Sequence, residues 1–182
     1  MTRSYLLLPL LLTACQKEQP EFSLSPATQT GANTLSCLVD GQVFLAYGRR
    51  CSNFGSTCEE ALSVRYQPTQ GRLLLETIFS TEGHDEALSL VADSVFAPGL
   101  AGTQHPSSYR PAGLGYSDRR SKLNYSTADP KYTHITITRL DTTAHIISGT
   151  FEGDLKTLLI NPTTEKLAVV VTEGRFDVKY GN

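Results

Sequence analysis

The stretch Thr133-His134-Ile135-Thr136-Ile137-Thr138-Arg139-Leu140-Asp141 decides the fold. Thr133, Ile135 and Ile137 point one way while His134, Thr136 and Thr138 point the other, the period of two expected of a half-buried strand. The chain is expected to turn at Asp141-Thr142-Thr143 and return through Ile147, Gly149 and Phe151 as the second arm of an antiparallel hairpin. A turn centred on Thr142 sets His145 opposite Arg139 and leaves His134 several residues away. A last pair of strands, Leu167–Val171 and Glu173–Tyr180, follows. In the final one Phe176, Val178 and Tyr180 alternate with Arg175, Asp177 and Lys179.

Earlier segments carry the same grammar. Thr34–Val39 and Gln42–Ala46 flank Asp40-Gly41, a two-residue signal for a tight hairpin turn. With Val39 opposite Gln42, Leu35, Cys37, Phe44 and Ala46 share one face, and Leu38, Val43 and Leu45 share the other. A hairpin apolar on both faces is expected in the middle of a packed structure. Leu62–Gln67 and Arg72–Phe79 read as strands around Pro68-Thr69-Gln70-Gly71, and Ala87–Phe96 reads as another. Lys122–Ser126 reads as a short strand before an Asp129-Pro130 turn. Tyr47–Glu60 reads as a polar loop, and Ala101–Arg120, broken by Gly102, Pro106, Pro111, Gly113 and Gly115, as the least regular part.

The chain has 182 residues, with no tryptophan and one methionine. Abundant Thr, Ser, Val, Ile and Tyr favour strands over helices. The expectation is an all-β class: one antiparallel β-sandwich of about eight to ten strands, with a closed, lipocalin-like barrel as the alternative. No internal repeat is visible.

The first residues belong to a different grammar. Arg3 precedes a short apolar run, Tyr5 to Leu12, that ends in Leu11-Leu12-Thr13-Ala14-Cys15. A membrane-spanning helix needs about 20 apolar residues, and this run is under half that and contains Pro9. A charged start, a short apolar core and a small-residue exit are the parts of a signal peptide. A cysteine just after the small residue is the lipidation signal of a bacterial lipoprotein. The expected layout is a signal peptide over 1–14, a lipidated Cys15 leading a disordered tether over 15–33, and one β domain over 34–182. As a random coil the tether would reach about 20–25 Å. Several acyl chains, of the palmitate type, on one residue anchor far better than one. Loss of Arg3 with the leader takes the 16 basic residues to 15 against 18 acidic, a charge of −3. That excludes a nucleic-acid surface, which needs a clustered basic excess.

With Cys15 acylated, three of the four cysteines remain. Cys51 and Cys58 lie in one polar loop and are the disulfide candidates, in an envelope that permits such bridges. Cys37 sits beside Phe44 on an apolar face, as a buried free thiol. The histidines His84, His105, His134 and His145 lack the spacing of metal ligands, and His84-Asp85-Glu86 reads as a solvated charge cluster. No metal and no cofactor is expected. No strand-Gly-x-Ser-x-Gly-helix elbow or His-Glu-x-x-His helix is present, and no local signal favours a carboxylate pair for glycoside cleavage. The most suggestive surface is Tyr109–Tyr132, where Tyr109, Tyr116 and Tyr125 stand among Arg110, Arg119 and Arg120, residue types that suit recognition; the alternative is that the rings pack against the sheet while the basic groups are solvated.

The segments Ile137–Thr143, Ile146-Ile147-Ser148-Gly149-Thr150-Phe151 and Thr172-Glu173-Gly174-Arg175-Phe176-Asp177 resemble a family of uncharacterised Bacteroidota lipoproteins. Pro26–Thr34, followed by Cys37 and Asp40-Gly41, resembles the same family's opening, so the likeness spans nearly the whole mature chain. Arg49–Glu60 looks like a local elaboration. The family offers no catalytic residues to carry over. The resemblance implies an outer-membrane address: Lys17-Glu18 after Cys15-Gln16 partly fits the phylum's signal for the outward-facing leaflet, with the periplasmic leaflet as alternative. It also implies O-glycosylation sequons at Asp93-Ser94-Val95 and Asp141-Thr142-Thr143, of which Thr142 is the better placed, in a turn.

The functional expectation is a lipid-anchored, non-enzymatic envelope module that binds a glycan or a protein. Its alternatives are a barrel carrying a small apolar ligand and a small envelope hydrolase. Oligomeric state is not legible from the residues.

Overall fold

The computed structural model describes residues 21–51, 57–100, 113–127, 132–157 and 168–181. Tyr109, Arg110, His105, Cys15 and the Asp129-Pro130 turn lie outside the described residues. The architecture is all-β, with thirteen strands among the described residues. They are β1 Thr34–Val39, β2 Gln42–Leu45, β3 Arg49–Cys51, β4 Cys58–Glu60, β5 Leu62–Gln67, β6 Arg72–Ser80 and β7 Asp85–Ala92. After these come β8 Gly99–Leu100, β9 Gly113–Asp118, β10 Leu123–Thr127, β11 Thr133–Asp141, β12 Ile146–Thr157 and β13 Ala168–Lys179.

Eleven of them form one sheet, with main path β2-β1-β13-β12-β10-β9-β7-β6-β5; β11 pairs with β12 and β8 with β11. The named pairings are antiparallel. The sheet curls into a half-barrel, so the facing layers of the core come from one sheet folding over on itself. A seam joins its two ends. Tyr47, just beyond β2, bridges Phe79 of β6; its amide donates to the Ile78 carbonyl (3.0 Å) and its carbonyl accepts from the Ser80 amide (3.0 Å). Gly48 makes this approach feasible: its φ is +88°, and a Cβ there would stand 2.0 Å from the Ser80 carbonyl oxygen. No helix among the described residues is long and apolar enough to cross a membrane.

The inner face is filled by Phe44, Phe79, Leu73, Leu75, Leu88, Leu90, Ile135, Ile137, Ile147 and Leu155, all fully buried. The first hairpin has the expected register, Val39 opposite Gln42, and Asp40 and Gly41 both take positive φ as a tight hairpin turn requires. Its tip is held to β13, where Asp40 Oδ1 accepts from the Val170 amide (2.7 Å) and the Asp40 amide donates to the Val170 carbonyl (2.9 Å).

Several expectations are corrected. Order does not begin at Thr34: residues 21–33 are strapped across the outer face of β1 and β13 by contacts described below. Tyr47–Glu60 holds a two-stranded ribbon, β3 on β4, rather than only a loop. Ala87–Phe96 ends as a strand at Ala92, because Ser94 takes φ +62° and the Val95 amide turns to the Gly71 carbonyl (2.8 Å). Ala101–Arg120 contains β9, hidden by its two glycines. Asp141 pairs with Ile146 and Arg139 with Ser148, so His145 is not opposite Arg139 but in the loop, at φ +54°, with its ring stacked on Tyr180.

The last two expected strands are one. β13 runs through Thr172-Glu173-Gly174 without reversing, with Glu173 at φ +51° and a register shift against β12 between Phe151 and Gly153. That is a bulge, which bends a strand and deepens its twist. Gly174 fits there because a Cβ would meet the Phe151 carbonyl oxygen at 2.3 Å.

Candidate functional site

Period-two alternation across β5, β6, β7, β9 and β10 assigns every side chain of this half of the sheet to a face. One cross-strand row, Leu62–Thr77–Leu88–Tyr116–Tyr125, faces the core. The neighbouring rows, Ser63–Glu76–Ser89–Gly115–Ser126 and Ile78–Ala87–Ser117–Asn124, face outward. Six of the nine residues in the outward rows are Ser, Gly or Ala, so they leave a shallow trough. Over it stands the β3–β4 ribbon, contributing Arg50, Cys58, Glu59 and Glu60. Together they enclose a cleft of about 800 Å³, open on one side.

The wall is fastened in two ways. Cys51 and Cys58, paired in register, form the disulfide between β3 and β4. Arg50 reaches back from the ribbon to the sheet: Nη2 meets Asp85 Oδ1 at 2.5 Å and donates to the Glu86 carbonyl at 3.3 Å, while Nη1 holds Glu59 Oε2 at 3.0 Å. Its Nε is buried without an acceptor. Arg49 pairs with Glu60 at 3.0 Å on the exposed side of the ribbon. The ribbon is therefore a stapled flap with one deep anchor.

The floor is chemically available. Among the described residues, Ser63, Ser89, Ser117, Asn124 and Ser126 have no internal hydrogen bond from their side chains, and Glu76, exposed on the floor, has no ion-pair partner. The hydroxyls can donate and accept, the amide can do both, and the carboxylate accepts. Such a surface exchanges hydrogen bonds with a polyhydroxylated ligand.

The expected tyrosine–arginine surface is not what forms the site. Tyr125 is 3% exposed, and the Tyr116 ring packs against Phe44 and Tyr125. Both point inward because Leu114, Tyr116 and Tyr125 occupy the buried phase of the alternation. Arg119 and Arg120 lie past the end of β9. The Arg119 amide donates to the Asp85 carbonyl (3.0 Å), and Arg120 Nη2 donates to the Glu82 carbonyl, so both serve to hold neighbouring turns together.

A second polar constellation sits at one end of the half-barrel. His84 Nδ1 lies 2.8 Å from Glu86 Oε1, and Tyr116 Oη donates to Glu86 Oε2 at 3.1 Å. The His84 ring stacks on Phe79, 4.0 Å between centroids. The His84-Asp85-Glu86 segment is thus not a solvated cluster but a bridge between the Thr81–His84 turn and the core. Burial pushes the Tyr116 hydroxyl well above the usual tyrosine range, and the charge of Glu86 and its hydrogen bond add to that. The Cys37 thiol, 0% exposed, is pushed up to about 12 by burial and then by Glu86. A thiol so disposed does not supply a thiolate nucleophile near neutrality.

On the opposite outer face, Asp177 organises the strap. Its carboxylate accepts from Thr28 Oγ1 (2.6 Å), the amides of Thr30 (2.8 Å), Gly31 (2.8 Å) and Ala32 (3.1 Å), and Ser148 Oγ (2.8 Å). Burial pushes its pKa up, but the hydrogen bonds from Thr28, Ser148, Gly31 and Thr30 outweigh this and hold it well below the usual carboxylate range. Thr142 is exposed in the β11–β12 turn, where Asp141 Oδ1 accepts from the amides of Thr143 (3.1 Å) and Ala144 (2.8 Å). Ser94 is exposed as well. No group of three or more potential metal ligands occurs among the described residues.

The fold and site define an all-β half-barrel with a cleft outside its sheet, lined by serines, Asn124 and Glu76 together with apolar groups such as Ile78 and Ala87. No family model matches the chain, and no match is found among curated proteins or solved structures.

Proposed function

We propose that this chain is a bacterial lipoprotein, acylated at Cys15, whose domain is a non-enzymatic envelope module that binds a glycan in the cleft under the β3–β4 ribbon. The observation that carries the binding half is a cleft of about 800 Å³ whose floor bears five hydroxyl or amide side chains with no partner among the described residues. The volume falls within the range of small-molecule sites, about 300–1,000 Å³. The inner face is occupied by aromatic and branched aliphatic side chains, which favours an external ligand over an apolar one carried inside. The serines of the floor have no histidine among the described lining residues to activate them, which favours binding over acyl transfer.

The anchoring half rests on the leader and on the likeness to Bacteroidota lipoproteins. The reading that follows is a domain on the outer membrane, facing outward, with the periplasmic leaflet as alternative. Protease shaving of intact cells separates the two leaflets. Cys15→Ala should abolish acylation and leave the folded domain without its lipid; a mutant still acylated would sink the lipoprotein reading. For the ligand, a glycan array and an envelope pull-down with the full chain in detergent micelles should both give signal that Asn124→Ala weakens. Blank results in both would overturn the binding module.

A further inference from the structure

We infer that the cleft selects a saccharide bearing a protonated amino group over acidic saccharides, with neutral ones between; this rests on the glycan reading above and narrows its chemistry. The argument is one of charge. Three carboxylates line the cleft, Glu59, Glu60 and Glu76, against the single cation Arg50. Arg50 is already engaged twice, by Glu59 at 3.0 Å and by Asp85 at 2.5 Å, so its charge is compensated within the ribbon anchor. Glu60 is matched by Arg49 on the solvent side.

Glu76 is the one lining carboxylate with no partner among the described residues. It stands mid-row on the floor, directly between Ser63 and Ser89 across the strands. A sugar laid along this row meets hydroxyls on either side of an uncompensated negative charge. A uronic acid would bring a like charge against it. An ammonium at that point gains a charge-assisted hydrogen bond, about twice the strength of a neutral one.

The same charge would attract a lysine-rich peptide. The floor favours a sugar because four serines and Asn124 are spread over its two rows, with Gly115 and Ala87 keeping it shallow. Ile78 and Ala87 give it an apolar strip on which the flat face of a sugar ring can lie, while the serines and Asn124 meet the hydroxyls along its rim.

The test measures binding of the full chain, in detergent micelles at mildly acidic pH, to four probes of similar length: chitosan oligosaccharide, its N-acetylated counterpart, oligogalacturonate and oligolysine. Chitosan should bind tightest, the neutral sugar next and oligogalacturonate least. Glu76→Gln should weaken chitosan about tenfold, the order expected of one charge-assisted contact, while the neutral sugar changes less than about twofold. Because Glu76 is exposed, this substitution leaves folding intact, and circular dichroism checks that directly. Preference for oligogalacturonate, or an unchanged chitosan affinity in Glu76→Gln, overturns the inference and leaves the glycan reading standing. Absence of binding to all three saccharides overturns the glycan reading itself. Oligolysine binding as tightly as chitosan overturns the saccharide and makes the ligand a cationic peptide.

Discussion

At the scale of single residues, Asp177 does more than its neighbours. It is 1% exposed on β13 and accepts from the strap on one side and from Ser148 of β12 on the other. Hydrogen bonds to a charged group contribute about 1.5–3 kcal/mol each, and donors left buried and unpaired cost about 1–3 kcal/mol. Asp177→Ala should therefore lower the unfolding free energy by about 3 kcal/mol or more, read from the urea midpoint at neutral pH; a change under about 1 kcal/mol would show that the strap is not held here. The pH dependence has a definite sign. A carboxylate whose pKa is depressed on folding contributes stability in full above the unfolded value of about 3.9, and loses it as pH falls further. The acid limb of the wild-type stability profile should accordingly be flattened in the alanine variant. Asp177 also marks a limit of legibility. Its place opposite Phe176 and Val178 in the alternation was plain, yet the outer phase of a strand is polar whether solvent or another segment covers it.

At the scale of elements, the wall of the cleft is the piece most separable from the rest. β3 and β4 pair only with each other among the described strands, and Arg50 is their deep link to the sheet. Replacing both Cys51 and Cys58 by serine should loosen this ribbon first. Hydrogen exchange at residues 49–51 and 58–60 should accelerate, while β12 and β13 stay protected, as expected for a local opening unit. The global unfolding free energy should fall by less than about 2.5 kcal/mol, the chain-entropy value for a loop this short. Equal acceleration across β12 and β13 would show that the ribbon belongs to the core instead. The disulfide was legible because two cysteines shared one polar loop. One strand of the cleft floor was not: β9 has glycines at 113 and 115, which read as breaks. In the structure a Cβ at Gly113 would meet Thr127 Oγ1 at 2.3 Å, and one at Gly115 would meet Ser89 Oγ at 2.7 Å. Those glycines mark close approach rather than a turn. Without β9 the rings of Tyr116 and Tyr125 stay open between recognition and packing on the sheet; the register with β7 and β10 turns both inward.

At the scale of the whole molecule, the strap ties the N-terminal segment to the fold. Phe22 packs edge-on against Phe79 (5.0 Å between centroids) and against Tyr47, the residue that closes the seam. The Ser25 amide donates to Ser36 Oγ (2.9 Å), and Asn33 Oδ1 accepts from the Lys179 amide (2.9 Å). Arg139 Nη1 donates to the Gln29 carbonyl. A tether of the length first expected would let the domain range freely, but with contacts beginning at Phe22 the link back to Cys15 spans at most about 25 Å even when fully extended. Under the acylation proposed at Cys15, this keeps Phe22 within that distance of the anchored residue. Two truncations test this arrangement. A chain starting at Glu21 keeps every strap contact and should match the full-length domain in urea midpoint. A chain starting at Thr34 strips Asp177 of its Thr28, Thr30, Gly31 and Ala32 donors, bares Ser36 and uncovers Phe79. It should lose about 3 kcal/mol or more, since the remaining carboxylate keeps only Ser148 as a partner. Adding Asp177→Ala to the shorter chain should then cost far less than it does in the longer one, because the two changes remove the same network. Independent, additive losses would mean that the strap and Asp177 stabilise the domain separately.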